Sequence, residues 1–225
     1  MTYEEYVAYH RQGDAGVEER MIASLCRRLA LSAWDSFRLI YFYATTYHIP
    51  SALDMLEGER EMARLKFRTD RRYVRCNGAF PRLLEELTED KAERLAAART
   101  TAEAYREVRS WFFFGRYAAF LFLEVYCNVF KPDWTDDVAF GWEPDENYTK
   151  GAILLAGSAS RDALDQFLER ARRDTGDNAF AIETSLCAVE KIKKGTRWNG
   201  YYSERMLADA DGTRWAPLIY GLAGK

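Results

Sequence analysis

An all-α fold follows from three properties of the 225-residue chain. Apolar residues recur at three- and four-residue spacing along most of its length. Helix-starting and helix-stopping residues stand where those runs begin and end, and the alternating pattern of half-buried strands is nearly absent. Only Arg72-Tyr73-Val74-Arg75 reads as a weak strand candidate.

Taken in order, Asp14 to Leu29 places Val17, Met21, Leu25 and Leu29 four residues apart on one helical face. Ser32 with Asp35 has the form of an N-cap, and the helix it opens presents Trp34, Phe37, Ile40, Tyr41, Ala44 and Tyr47 until Pro50 stops it. Phe80, Leu83, Leu84 and Leu87 predict a short helix. Thr88 then caps a longer one reaching about Ser110, striped by Leu95, Ala98, Ala102 and Tyr105. Further helices are expected at 116–129, 160–173, 179–194 and 201–210. Two stretches interrupt the pattern: arginine-rich 60–75, and 131–150 with its prolines, glycine and paired aspartates. No repeat, low-complexity tract or linker divides the chain, so one helical unit over 1–225 is the expectation.

Composition narrows the function classes. Hydrophobic residues at 48% and charged residues at 30% describe an ordinary soluble globular protein. A net charge of −3 supplies no global attraction for nucleic acid, so any contact with DNA must use a local basic patch. Cys26, Cys76, Cys127 and Cys187 form no Cys-x-x-Cys pair, and His10 and His48 are the only histidines, which argues against a zinc site. Thr2-Tyr3-Glu4-Glu5-Tyr6 lacks the basic and apolar regions of a secretory signal. Trp111 to Phe130 is apolar enough to resemble a membrane span, but Arg116 and Glu124 would each cost about 2.5–3.5 kcal/mol at a bilayer centre, so a buried core helix is expected.

Three constellations carry chemistry. Residues 183–205 place Glu183, Cys187 and Lys191 at i, i+4 and i+8 on roughly one helical face, followed by Arg197, Trp198, Asn199, Tyr201, Tyr202 and Arg205. Rings beside that much positive charge suit a flat ligand bearing a phosphate, for which arginine offers a bidentate fork. The plain alternative is a surface helix with an ordinary Glu190–Lys194 pair and Cys187 in the core. The run Arg60, Arg64, Lys66, Arg68, Arg71, Arg72 and Arg75, with Phe67 and Tyr73 interleaved, has the form of a nucleic-acid track, or of a solvated face. Lastly, Trp111 to Ala119 reads as a hairpin between two helices. Gly115 provides the turn, and the helix from Arg116 and Tyr117 offers backbone N–H groups to a DNA phosphate.

The run Gly115-Arg116-Tyr117-Ala118-Ala119 resembles the hairpin of helix–hairpin–helix DNA glycosylases. In that superfamily a catalytic aspartate follows the hairpin glycine at a distance that Asp133, Asp136 and Asp137 bracket here. The glycine that precedes it in that superfamily is replaced by Phe113 or its neighbours. More widely, the chain resembles the α-glutamyl/putrescinyl thymine pyrophosphorylases, the phage amino acid:DNA transferases. The resemblance is carried by Tyr3-Glu4-Glu5-Tyr6, Tyr9-His10-Arg11, Tyr43 to His48, Arg72 to Asn77, Ile182 to Cys187, and most specifically Arg197 to Arg205. Glu204-Arg205 stands where members of the family often have Asp-Arg.

The resemblance implies a helix–hairpin–helix glycosylase-like helical fold, a cytoplasmic setting in an infected bacterial host, and no membrane. The implied substrates are double-stranded phage DNA bearing phosphorylated 5-hydroxymethyluracil, made by an upstream DNA-base kinase, and a small amine, with glycine favoured over glutamate or putrescine. A nitrogen of the amine replaces the phosphate or pyrophosphate on the exocyclic methylene. Arg197 and Lys191 are expected to steady the leaving anion, and Asp137 or Glu183 to take the proton of the ammonium. Tyr47, Asp136, Cys187, Trp198, Asn199, Tyr201, Tyr202 and Arg205 are expected around the extruded base, and Arg68, Arg71, Arg72, Arg75, Gly115, Arg116 and Tyr117 along the DNA. No cofactor is implied. The alternatives are a glycosylase using Asp136 or Asp137 against a sugar cation, and a non-catalytic helical DNA-binding protein.

Overall fold

The structure is a computed structural model that describes residues 1–12, 14–75 and 78–224; the side chains of Gln12, Thr69, Asp70 and Arg72 lie outside the described ones. Among the described residues there are thirteen α-helices, two 3₁₀ segments and no strand. The α-helices are α1 (Tyr3–Gln12), α2 (Val17–Arg28), α3 (Ala33–Thr46), α4 (Ile49–Leu56), α5 (Ala79–Glu85), α6 (Glu89–Ala96), α7 (Thr101–Arg109), α8 (Arg116–Phe130), α9 (Asn147–Ala156), α10 (Arg161–Thr175), α11 (Ala179–Lys193), α12 (Tyr201–Ala210) and α13 (Ala216–Leu222). The all-α expectation holds. The one strand candidate is instead part of the 3₁₀ segment Thr69–Arg75. No helix among the described residues is long and apolar enough to cross a membrane.

The chain divides into two compact units, residues 1–17 with 136–205, and residues 18–135 with 206–225. In the first, α11 is the centre. Phe180, Ile182, Leu186 and Ala188 are wholly enclosed, and the Tyr6 hydroxyl of α1 meets Ser185 Oγ at 2.9 Å. Helix α9 crosses α11 at Gly151, where a Cβ would stand 2.2 Å from the Leu186 carbonyl oxygen. Only hydrogen at that position lets the two backbones come so close.

In the second unit α3 is the central element, buried continuously from Leu39 to Thr46. The predicted cap is present: Ser32 Oγ accepts from Asp35 N at 3.0 Å. An aromatic core joins α3 and α8, with Phe37, Tyr41, Trp111, Phe114 and Phe122 in mutual ring contact at 5.0–6.1 Å. The apolar run once comparable to a membrane span supplies α8, enclosed from Ala118 to Tyr126.

Two boundaries differ from expectation. Helix α3 ends at Thr46, not at Pro50. Tyr47 turns into the left-handed region at φ 52, and Pro50 stands in the first turn of α4, where its missing N–H costs nothing. The long helix expected from Thr88 to Ser110 is two, α6 and α7. Thr135 reaches into the break, with Thr135 N donating to Arg99 O and Thr101 N donating to Thr135 O. Thr100 Oγ caps the new start by accepting from Glu103 N at 3.2 Å.

Candidate functional site

In the first unit the most specific block of sequence forms one structure at the start of α12. A turn over 194–200 reverses the chain, with Gly195 and Gly200 at positive φ and Thr196 N donating to Lys191 O at 3.0 Å. Arg197 lies over Tyr201, its guanidinium carbon 4.0 Å from the ring centroid, and Nη1 donates to Thr196 O at 2.7 Å. Its buried Nε meets no acceptor among the described residues. Trp198 stands edge-on to Tyr201 at 5.0 Å, is 51% exposed, and donates Nε1–H to Glu204 at 3.2 Å. Tyr201 meets Tyr202 at 5.2 Å, and Arg205 covers Tyr202 at 4.9 Å. One guanidinium thus lies over each tyrosine of the pair, with an exposed indole beside them. Asn199 is exposed in the turn.

Asp14, which sequence reasoning did not single out, fixes this structure. Its buried carboxylate accepts from Tyr202 N, Ser203 N and Ser203 Oγ, so it occupies the anion position at the helix start. Any further anion there must be held by side chains, and Arg197 and Arg205 are the cations at hand. Tyr202 is anchored from behind by Tyr9, Ala15 and Ala188.

The other nominated residues of this unit divide along α11. Asp136 anchors the helix start: it accepts from Ala179 N at 3.0 Å and from Arg172 Nε at 2.7 Å and Nη2 at 3.3 Å. Asp137 beside it is exposed, and Glu183 is buried in the first turns of the helix. Cys187 is half-buried in mid-helix and in no disulfide, as are Cys26 and Cys127; Cys76 lies outside the described residues. Lys191 is half-buried near the far end. Eight residues at about 1.5 Å each separate Glu183 from Lys191 by roughly 12 Å along the axis. The carboxylates therefore gather toward one end of α11, and the cations with the aromatic ladder toward the other.

In the second unit the structure assembles a polar cluster that sequence reasoning missed in part. The Tyr43 hydroxyl donates to both Glu18 (3.0 Å) and Glu19 (3.1 Å), all three being buried. Burial and the two carboxylates push the phenol of Tyr43 well above its ordinary range. Arg68, nominated for DNA, ion-pairs with Glu18 and Asp209 and lies 4.9 Å over the ring of Tyr47. Tyr47 in turn meets Tyr43 at 5.6 Å and Tyr117 at 5.9 Å. His48 Nδ1 accepts from Ser51 N at 3.2 Å, which puts the proton on Nε2. Nε2 is buried without a hydrogen-bond partner among the described residues, 3.9 Å from Asp209. Burial pushes this imidazole down to about 4, against the pull of Asp209. One signal did exist: Glu18 precedes Met21, Ile22 and Leu25 at helical spacing and so shares their inward face, although paired acids at a helix start ordinarily read as solvated.

The arginine run is not one continuous cationic track. Arg71 is fully enclosed and Arg68 nearly so. Arg75 is exposed but lies 5.0 Å over Phe67 and donates to Leu65 O, while the side chain of Arg72 lies outside the described residues. A short turn joins α7 and α8 where the sequence predicts one, but its backbone differs from the expectation. Gly115 has an ordinary φ of −62, and the left-handed residue of the turn is Phe113, at φ 62. Gly115 caps α8 without a side-chain bond, Arg116 lies 4.4 Å over Phe120, and Tyr117 is 40% exposed. Among the described residues no group of three or more His, Cys, Asp or Glu side chains is arranged to hold a metal ion. Compared with known proteins, the chain matches no family model and no curated protein is significantly similar to it.

Proposed function

We propose that this chain is an amino acid:DNA transferase that replaces the phosphate or pyrophosphate on 5-hydroxymethyluracil in DNA with an amine nitrogen, glycine being the favoured amine. The observation that carries the reading is the ladder at the start of α12. Two guanidiniums lie over a tyrosine pair beside an exposed indole, and the buried Arg197 Nε meets no acceptor among the described residues. That arrangement suits an extruded pyrimidine carrying an anionic group.

In the reaction the bond between the exocyclic methylene carbon and the phosphate oxygen breaks, and both its electrons leave with the phosphate. Arg197 and Lys191 steady that anion. The amine nitrogen forms the new bond to the methylene carbon and sheds its proton to water, through which it reaches Glu183 or Asp137 toward the other end of α11. The exposed Trp198 stacks the base, bordered by Tyr201 and Tyr202, which Arg197 and Arg205 cover. The hairpin start at Gly115, Arg116 and Tyr117 and the exposed Arg75 contact the DNA backbone.

The test is to incubate DNA containing phosphorylated 5-hydroxymethyluracil with the protein and a panel of amino acids and polyamines, then weigh the digested nucleosides. A nucleoside heavier by one amine residue supports the transferase. Abasic sites would point to a glycosylase, and salt-sensitive binding with unchanged nucleosides to a non-catalytic DNA-binding protein.

A further inference from the structure

Phe113 adopts a left-handed backbone, φ 62, that bulky L-residues seldom adopt. Its ring is not core: Trp111 and Phe114 on either side are buried, whereas Phe113 remains half-exposed and leans on Tyr73, itself 45% exposed, at 5.6 Å and 31° between planes. Behind the pair lies Arg71, fully enclosed. It donates to the Tyr73 hydroxyl at 2.7 Å, to Phe113 O at 3.4 and 3.5 Å, and to Thr45 O at 3.3 Å, and no carboxylate among the described residues balances it. An enclosed cation thus holds both members of a surface aromatic pair. Burying a charge without a counter-ion is costly, and placing phenylalanine in a glycine-like conformation adds to that cost. Both features are accounted for if the two rings must be presented in a fixed pose.

The flanks indicate what the rings receive. Phe112 meets Phe113 at 4.7 Å and carries Arg82 at 3.9 Å over its face, Arg82 also pairing with Glu86 at 3.1 Å. Arg109 is exposed and bonds only to Phe114 O, at 3.3 Å, with no carboxylate partner among the described residues. Aromatic faces bordered by guanidiniums fit bases joined by phosphates. We propose that Tyr73 and Phe113 form a stacking platform for an unpaired base of DNA, with Arg71 as its positioning residue and Arg82 and Arg109 as phosphate contacts. This rests on the DNA reading above and adds to it a site whose residues take no part in the substitution chemistry.

The experiment uses the full chain and a gapped DNA duplex carrying 2-aminopurine in the gap, with affinity and fluorescence read across a salt series. The parent should quench the probe. Phe113→Gly, which suits the positive φ, should melt close to the parent yet bind about tenfold more weakly with an unchanged salt slope, and Tyr73→Leu should do the same. Arg109→Ala should instead lower the slope by about one. Arg71→Leu should fold yet lose quenching, because the rings are no longer held. Parent-like affinity and quenching in both Phe113→Gly and Tyr73→Leu would overturn the platform. Intact amine transfer by those variants would show that the function stands without it. A parent that binds no DNA, or whose ring pair is protected only by a protein partner, would overturn both.

Discussion

Replacing Gly151 with alanine tests the packing on which the first unit is built. The added Cβ would stand 2.2 Å from the Leu186 carbonyl oxygen, 3.0 Å from its carbon and 3.3 Å from the Leu186 Cα. All three are backbone atoms, so no rotamer change relieves the overlap. Restoring ordinary contact requires α9 and α11 to separate by roughly 1 Å, a gap that forfeits a quarter to a half of the dispersion attraction between facing atoms. Alanine is intrinsically better than glycine in a helix by about 1 kcal/mol, which offsets part of the loss. A net destabilisation of about 2–3 kcal/mol remains, at the upper end for overpacked cores, equivalent to a fall in Tm of roughly 5–10 °C. Urea unfolding followed by circular dichroism measures it. Gly221, helical and with nothing within 4 Å of its would-be Cβ, is the control, and Gly221→Ala should stabilise by about 0.5–1 kcal/mol. A Gly151→Ala variant as stable as the parent would refute the claim that the two backbones are in contact.

His48 makes stability depend on pH. Its folded value of about 4 lies below the ordinary 6.5, so between these values the unfolded chain binds more protons. Its contribution is whole above about pH 6.5 and is lost as pH falls toward 4, by an amount on the order of 3 kcal/mol. His48→Asn keeps the cap of α4 and should flatten the urea midpoints between pH 4 and 7; an unchanged slope would contradict the assignment. Asp136→Ala strips the start of α11 and Arg172 of their shared carboxylate and should cost about 2–3 kcal/mol by urea denaturation. Arg197→Lys retains the charge but loses the guanidinium over Tyr201 and its bidentate fork, so amine transfer should fall at least tenfold in single-turnover assays while the melting temperature stays close to the parent's. Of Glu183→Gln and Asp137→Asn, the variant that removes the proton acceptor should lose its rate most at low pH, where the amine is present as ammonium, and the other should retain it.

How much was legible varies from element to element for physical reasons. The helices at 116–129, 179–194 and 201–210 were readable because each has a broad apolar face or a clear start, and the structure places α8, α11 and α12 there within a residue or two. The break between α6 and α7 was not, because it depends on Thr135, distant in sequence, bonding across it. At Pro50 local chemistry was ambiguous, since proline both ends and begins helices, and the left-handed Tyr47 decided the matter. The ladder of Arg197, Tyr201, Tyr202 and Arg205 was visible in advance because its members are neighbours in sequence. The cluster of Glu18, Tyr43, Arg68, His48 and Asp209 was visible only through Arg68 and the Tyr43-to-His48 block, because its parts come from four separated stretches. Arg71 read as a phosphate contact by type and is enclosed in fact, which no periodicity of a charged run reveals.

The account turns on whether substitution takes place at the methylene carbon of the base. The most direct measurement counts three products from one reaction of the protein with phosphorylated 5-hydroxymethyluracil DNA and glycine: inorganic phosphate or pyrophosphate released, glycyl-substituted nucleoside formed, and abasic sites. The account predicts one leaving group per substituted nucleoside, dependence of its release on the amine, and no abasic sites. Release that ignores the amine, or DNA recovered unaltered from the folded protein, would contradict it.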